Sequence, residues 1–190
     1  MKNLQLFDLD LVDNVVSPEL FEHTELDSPA TKVFTDFKMH QPLVIEGDTL
    51  ASDALLLMKK SHVKMKIVVS SNNDFLGIIS TNELSEQSLI AETAKGKNRN
   101  EILVSDMMLP KLALHAFDFS EIENSTVNDV ILTLKNYGLR HCLVVDRKHH
   151  HIRGVISTSD IARKLHLPID LSIKTSFSEI FEVIHGAAVL

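Results

Sequence analysis

Two short segments of the chain place a carboxylate three residues after a hydroxyl: Gly154-Val155-Ile156-Ser157 leads to Asp160, and Gly77-Ile78-Ile79-Ser80 leads to Glu83. In both, a β-rich run gives way to a helical pattern near the serine. The start of a helix carries free backbone N–H groups and a partial positive charge, both suited to a phosphate. An ionised carboxylate can accept two hydrogen bonds from a cis-diol, and charged acceptors make the stronger bonds. A glycine ahead of the turn lets a ligand or a second backbone come close. The same Ser-x-x-acid spacing is also the form of a capping box, which satisfies only the helix's own N–H groups. The sequence leaves both readings open.

Other chemistry finds less support. The run His149-His150-His151 offers metal ligands, but it falls at a hairpin tip, where adjacent side chains on an extended chain point opposite ways. A solvated turn is the expected reading, with no metal ligands. His141 reads as a packed or rim histidine and Cys142 as a core residue entering a buried strand. The six glycines form neither a GxGxxG nor a P-loop. Neither a Gly-x-Ser-x-Gly elbow nor an HExxH helix occurs, and the ten histidines fall into no nucleophile–base–orienter spacing. The chain is therefore expected not to be an enzyme, with no catalytic residues and no required cofactor. A formal net charge of -7 makes it a poor partner for nucleic acid or an anionic membrane. A single cysteine forms no internal disulfide and no thiolate zinc cage. Residues 1–16 lack the basic start and unbroken apolar run of a signal peptide, and no stretch reaches the length of a bilayer span. A reducing, cytoplasmic location is expected.

The elements that must position the two Ser-x-x-acid segments are themselves repeated. Asp53–Val69 aligns without gaps on Asp129–Val145 at an offset of 76 residues, and the offset becomes 77 at the glycines. Thr35-Asp36-Phe37 also resembles Ser105-Asp106-Met107. In the first copy, Pro42–Glu46 reads as a strand, and Leu50, Ala54, Leu57 and Met58 fall at helical spacing. Lys66–Ser70 and Leu76–Ile79 then form a hairpin around Ser71-Asn72-Asn73-Asp74, followed by a helix near Thr81–Ala91. The second copy gives a helix from Val127, Val130, Ile131 and Leu134, a hairpin from Leu143–Asp146 and Ile152–Ile156, and a helix near Thr158–Leu165, ended by Pro168. The order is strand, helix, strand, strand, helix, twice. It predicts an α/β (α+β) architecture with the two units packed about a pseudo-two-fold axis around a common core. The expected divisions are an N-terminal extension over residues 1–32, extended or strapped onto a neighbour; a first unit over 33–94; a polar, solvated linker over 95–102; a second unit over 103–167; and a C-terminal amphipathic helix within 168–190. Ser176-Phe177-Ser178-Glu179 caps that helix, whose Phe177, Ile180, Phe181 and Ile184 share a face that must bury on the chain's own core or on a dimer mate.

The tandem Gly-h-h-Ser-x-x-acid segments, the hairpin ahead of each, and Val104-Ser105-Asp106-Met107-Met108, which has the form V-x-D-h-M, together resemble the CBS-domain family in its two-copy form, the Bateman module. The likeness covers about residues 33–167, and extends to stand-alone bacterial CBS proteins. It implies a homodimer that binds an adenosine-containing ligand (AMP, ADP or ATP) in a cleft between the units, and passes a conformational change to a regulated partner. In the family's motif the hydroxyl holds phosphate and the acid grips the ribose. That carries onto Gly154, Ser157 and Asp160, with Arg140 adding phosphate charge and Met107 and Ile156 giving apolar contact to a base. A weaker second site would comprise Ser80, Glu83, Gly77 and Thr35, with glutamate standing where the motif has aspartate. Two rival readings are a ligand-free dimerisation or protein-interaction module, and a histidine-based metal binder.

Overall fold

Period-two apolar runs and period-3.6 stripes alternate through the chain, and the elements follow them. The computed structural model describes residue 10, residues 23–168 and residues 175–186. The first copy comprises strand β1 (Phe34–Asp36), strand β2 (Val44–Glu46), helix α1 (Ala51–Lys60), strands β3 (Met65–Val69) and β4 (Phe75–Ser80), and helix α2 (Glu86–Ala94). A short helix α3 (Val104–Met107) and strand β5 (Leu109–Pro110) lead into strand β6 (Ala116–Asp118) and the helical turn α4 (Phe119–Ile122). Helix α5 (Val127–Leu134), strands β7 (His141–Asp146) and β8 (His151–Ser157), helix α6 (Thr158–Lys164) and helix α7 (Phe177–Gly186) follow. The order strand, helix, strand, strand, helix thus occurs twice. Helix α5 starts where Thr126 Oγ1 accepts from Asp129 N (3.2 Å) and Thr126 N donates to the Asp129 carboxylate (2.8 Å). It buries Val127, Val130, Ile131 and Leu134. Helix α1 turns Ala51, Ala54 and Met58 inward. Leu57, expected on that face, is 50% exposed.

Four strands form each sheet, in the orders β2-β3-β4-β5 and β6-β7-β8-β1. Each sheet takes its last strand from the chain that leads into the other copy. β1 runs antiparallel to β8, with Thr35 opposite Val155 and Asp36 opposite Gly154. β5 runs antiparallel to β4, with Leu109 opposite Ile78 and Pro110 opposite Gly77. The helical turns ahead of these strands are exchanged as well. The 3₁₀ turn Ala30–Val33 sinks Ala30 and Val33 into the core of α5, α6 and α7, while α3 sinks Val104 and Met107 into the core of α1 and α2. The anchoring bonds match one for one. Ala30 N donates to Ser125 O and Val104 N to Thr49 O, both at 2.8 Å; Val127 N donates to Ser28 O and Ala51 N to Ile102 O, both at 2.9 Å. The likeness of Thr35-Asp36-Phe37 to Ser105-Asp106-Met107 is therefore not a structural one: Thr35 and Asp36 are in a strand, whereas Ser105 and Asp106 are in α3. The counterparts of Val104 and Met107 are Ala30 and Val33.

Each sheet covers its helices on one face and meets the other sheet on the opposite face, through Ile67, Val69, Ile78, Leu143 and Val155. Alternation along β8 sends Val155 and Ser157 toward the other sheet, and Gly154 and Ile156 toward the helices of their own copy. Helix α7 spends its apolar face inside the chain, with Phe177 and Ile180 fully buried in the second copy's core. Of the N-terminal extension, residues 23–32 are strapped along the second copy, through Asn128 N to Leu26 O (2.9 Å) and the bonds at Ser28 and Ala30; residues 1–22, apart from Asp10, lie outside the described residues. The basic linker residues are exposed but paired: Lys95 with Glu92, Lys97 with Asp106, and Arg99 with Glu86.

The exchange explains the motif glycines. A Cβ on Gly154 would run into the Thr35 carbonyl oxygen and the Phe34 ring, and one on Gly77 into the Leu109 carbonyl. Backbone cannot yield as a flexible side chain does. Gly154→Ala should cost about 1–3 kcal/mol, the range for overpacking, and should loosen β1, so that the Phe37 amide, bonded to Arg153 O at 2.9 Å, exchanges faster. Denaturant unfolding and hydrogen exchange check this; unchanged stability and protection would contradict the close passage. A second prediction concerns His141, which opens β7 opposite Ser157 as Met65 opens β3 opposite Ser80. Burial pushes the His141 imidazole down to about 4, against the pull of the Glu83 and Asp160 carboxylates. An unfolded histidine titrates near ~6.5, so below that pH the unfolded chain binds more protons than the folded one, and stability falls as pH drops toward 4. Urea unfolding at pH 7 and pH 4.5 should show His141→Met losing about 2 kcal/mol less than the wild type. An equal loss would assign the acid sensitivity elsewhere.

Candidate functional site

Where β8 gives way to α6, the two copies part around a cavity of about 460 Å³. The second copy contributes Ser157, Asp160 and Arg163 to its walls, and the first contributes His62, Lys64 and Met65. Ser157, only 8% exposed, caps α6. Its Oγ accepts from Asp160 N (3.1 Å) and donates to Asp160 Oδ2 (2.5 Å), while Asp160 Oδ1 pairs with Arg163. The capping geometry is thus realised. It uses one side-chain donor on each carboxylate oxygen, and an ionised carboxylate offers about four acceptor positions. Asp160 therefore keeps capacity for a diol. Lys64 reaches across from the first copy, its ammonium 3.4 Å from Ser159 Oγ. Val155 and Met65 supply apolar wall.

The pseudo-symmetric cleft is smaller, about 130 Å³, and brings Ser80, Asn82 and Glu83 against Leu139, Arg140 and His141. Its acid is occupied by its own turn. Glu83 Oε2 accepts from Ser80 N (2.9 Å) and Ser80 Oγ (2.5 Å), and Oε1 from Asn82 Nδ2 (3.3 Å). The helix expected from Thr81 begins at Glu86, capped by Ser85, whose Oγ accepts from Ser88 N at 3.3 Å. Glu83 folds its carboxylate back onto Ser80, and a turn rather than a helix follows there. In this cleft no helix starts at the serine.

The residues singled out in the sequence divide between several places. Ser157 and Asp160 meet in the larger cleft, and Ser80 and Glu83 in the smaller. Gly154 and Gly77 lie beneath the exchanged strands β1 and β5. Ile156 is fully buried on the helix side of its sheet, one pleat out of phase with Ser157, and Val155 lines the cleft instead. Arg140 faces Ser80 and Glu83 rather than Ser157, because the segment ahead of β7 walls the other copy's cleft. By the same rule Lys64, aligned with Arg140 at the 76-residue offset, is the cation opposite Ser157. Met107 is 8% exposed in the first copy's core, and Thr35 lies in β1 within the second copy's sheet. Sequence reasoning missed Lys64, His62, Ser159 and Arg163; the offset alignment held the signal for Lys64. It also missed that His141 lines both clefts. Cys142 is buried, and burial pushes its thiol up to about 11. His149 Nδ1 bonds Asp146 at 2.8 Å, and among the described residues no group of three or more His, Cys, Asp or Glu side chains converges to hold a metal. No helix among the described residues is long and apolar enough to cross a membrane.

The family profile described as CBS domain matches residues 34–89 and 122–167. Solved structures share the fold. An uncharacterised conserved protein from Pyrococcus horikoshii is 16% identical, over 77% of this chain and 98% of that one, with a TM-score of 0.55. A conserved CBS domain protein of unknown function from Thermoplasma acidophilum, TA0289, is 19% identical over 82% of this chain and 78% of its own, with a TM-score of 0.51. CBSX2, solved in complex with AMP, is 18% identical over 72% of this chain and 94% of its own, with a TM-score of 0.52. No curated protein matches the chain. Structural likeness at these identities speaks for the fold, and the profile, matched once in each copy of the repeat, speaks for descent: the chain belongs to the CBS-domain family, as a tandem pair.

Proposed function

We propose that this CBS pair is a regulatory protein that binds an adenine nucleotide in the cleft beside Ser157 and Asp160. The observation that carries the reading is the division of that cleft between copies: a carboxylate with spare acceptor capacity on one side, and a cation from the other copy facing it. Asp160 accepts from the ribose hydroxyls. Lys64 and Arg163, with the Ser159 hydroxyl, meet phosphate, the Ser157 hydroxyl joining them when it turns from Asp160, and Val155 and Met65 contact the base. The volume of about 460 Å³ falls within the usual range of small-molecule clefts. The AMP held by CBSX2, a structural neighbour, supports an adenine nucleotide as the ligand class. A ligand that touches Lys64 and Asp160 together favours the packing of the copies that brings them closest, and so shifts the population toward that packing. A partner protein would read the shift. The smaller cleft, with Glu83 committed to Ser80 and Asn82, is assigned no ligand. The module is also proposed to pair with a second copy of itself through the helix faces that leave Leu56, Leu57, Ile90 and Leu132 exposed. The Ser157 cap on α6 and the bond of its hydroxyl to Asp160 also favour a second reading, an interaction module whose clefts stay empty.

Calorimetry with AMP, ADP and ATP decides between them. One nucleotide should bind per chain. Asp160→Ala should weaken it at least about tenfold, from the loss of about 1.5–3 kcal/mol for hydrogen bonds to a charged group. Part of the α6 cap is lost as well, about 1 kcal/mol, so folding of the variant is checked first. Lys64→Ala should weaken nucleotides but leave adenosine unchanged, and Glu83→Ala should change little. Equal affinity in a folded Asp160→Ala variant would sink the site, and no heat with any nucleotide would leave the empty-cleft module as the reading. Light scattering at micromolar concentration should report a dimer; a monomer would overturn the pairing.

A further inference from the structure

The two sheets also part at the opposite ends of their strands. From Ser157, β8 runs back five residues to Ile152, about 17 Å at the usual strand rise. There the hairpin of the second copy, the start of β4 and the segment between β5 and β6 enclose a cavity of about 590 Å³, larger than the nucleotide cleft. Its floor is apolar: Phe75, Leu114, Leu143, Val145 and Ile152, of which Leu143 is only 3% exposed. Its polar side chains, among the described residues, are Lys111, His150 and His151. The Lys111 ammonium stands 5.9 Å from the centroid of the Phe75 ring, at the outer reach of a cation–π contact. His151 stacks on His149, which is held by Asp146. Among the described residues, no carboxylate, amide or hydroxyl side chain lines the cavity.

We propose that this cavity is a second, chemically different ligand site, for a small amphiphilic acid with a hydrocarbon body and one anionic head. The floor takes the body, and Lys111 with the two histidines takes the head. A nucleotide fits less well, because among the described residues the lining holds no carboxylate to grip a ribose diol. The repeat itself argues that the basic rim is particular to this end of the molecule. At the 77-residue offset, His150 and His151 correspond to Asn73 and Asp74. Asn73 and His150 share even the left-handed backbone, at φ 63° and 55°. Turn geometry is therefore met equally well by the residues of the first copy and does not call for imidazoles. The proposal stands independently of the nucleotide reading, since it uses none of the residues around Ser157.

Methyl NMR of the full chain, titrated with decanoate, tests it. Saturable shifts should appear at Leu114, Leu143, Val145 and Ile152. From octanoate to decanoate, each methylene should tighten binding about threefold to fourfold, the factor for burying one CH₂. Decanol should bind at least about tenfold more weakly than decanoate. Lys111→Glu, at an exposed position, should give a similar loss, and Ala116→Trp, which fills the cavity from the exposed edge strand β6, should abolish the shifts. Asp160→Ala should bind decanoate as the wild type does, and AMP should not compete. Absence of saturable shifts at millimolar decanoate would overturn the proposal. So would decanol binding as tightly as decanoate, or retention of binding in folded Ala116→Trp. The comparison with decanol stands even if Lys111→Glu does not fold.

Discussion

The arrangement of this chain depends on two places where one backbone crosses another with no room for a side chain. β1 passes over Gly154 and β5 over Gly77, each carbonyl lying where a Cβ would be. Those crossings let each copy take its edge strand, and the helical turn before it, from the chain leading into the other copy. An isolated copy would lack a strand of its sheet and a wedge of its core. The two copies are therefore one folding unit in energetic terms, although the sequence presents them as a duplication. The half-buried bond of Arg153 to Asp36, with the Arg153 guanidinium 4.1 Å from the Phe119 ring centroid, fastens β1 in place. Among the described residues no matching ion pair secures β5; there, the side chain of Met107 and the neighbouring Met108 hold the crossing segment by packing.

Interlocking also decides how the clefts are built. The sheets meet face to face through a small apolar patch, so their ends are free to diverge, and each end is walled by both copies. A ligand lodged at such an end senses the relation between the copies rather than the shape of either. That is why a cation aligned with Arg140 by the repeat, Lys64, faces Ser157, while Arg140 itself faces Ser80. His141 belongs to both clefts at the Ser157 end and takes the place that Met65 holds in the other copy. A single imidazole there lies within the fields of Glu83 and Asp160 alike.

Much of the architecture was legible because it rests on local periodicity. The helix of Val127, Val130, Ile131 and Leu134, the two hairpins and the amphipathic stripe at Phe177 follow from apolar spacing and turn residues alone. The exchange of strands was not legible. Nothing in Phe34-Thr35-Asp36 distinguishes pairing with the near sheet from pairing with the far one, because strand propensity carries no address. Two placements at the site share that origin: with the leading segments assigned to the other copy, Met107 and Thr35 move with them. Arg140 stays in its own copy, and the packing of the copies turns it to the other cleft. Ile156 failed for a simpler reason: on a strand its neighbour Ser157 must point the other way. Of the two readings open for the motif glycines, room for a ligand or for a second backbone, the crossings at Gly154 and Gly77 realise the second.

The duplication also shows where the chain has ceased to be symmetric. At one end of the strands, a single methylene separates Asp160 from Glu83. Both acids accept from their serine hydroxyl, but Ser157 stands at a helix start with Asp160 turned to Arg163, whereas Glu83 also takes the Ser80 amide and the Asn82 amide group in a turn, and the helix begins only at Glu86. At the other end, Asn73-Asp74 in one hairpin stands against His150-His151 in the other, a change from a neutral and an acidic side chain to two imidazoles beside Lys111. Both departures fall in cavities between the copies, while the core positions that align at the same offsets, such as Met58 with Leu134 and Val68 with Val144, stay apolar and buried. Packing tolerates little change in volume at those core sites. The cavity walls are under no such constraint, and it is there that two copies of one element came to present different chemistry.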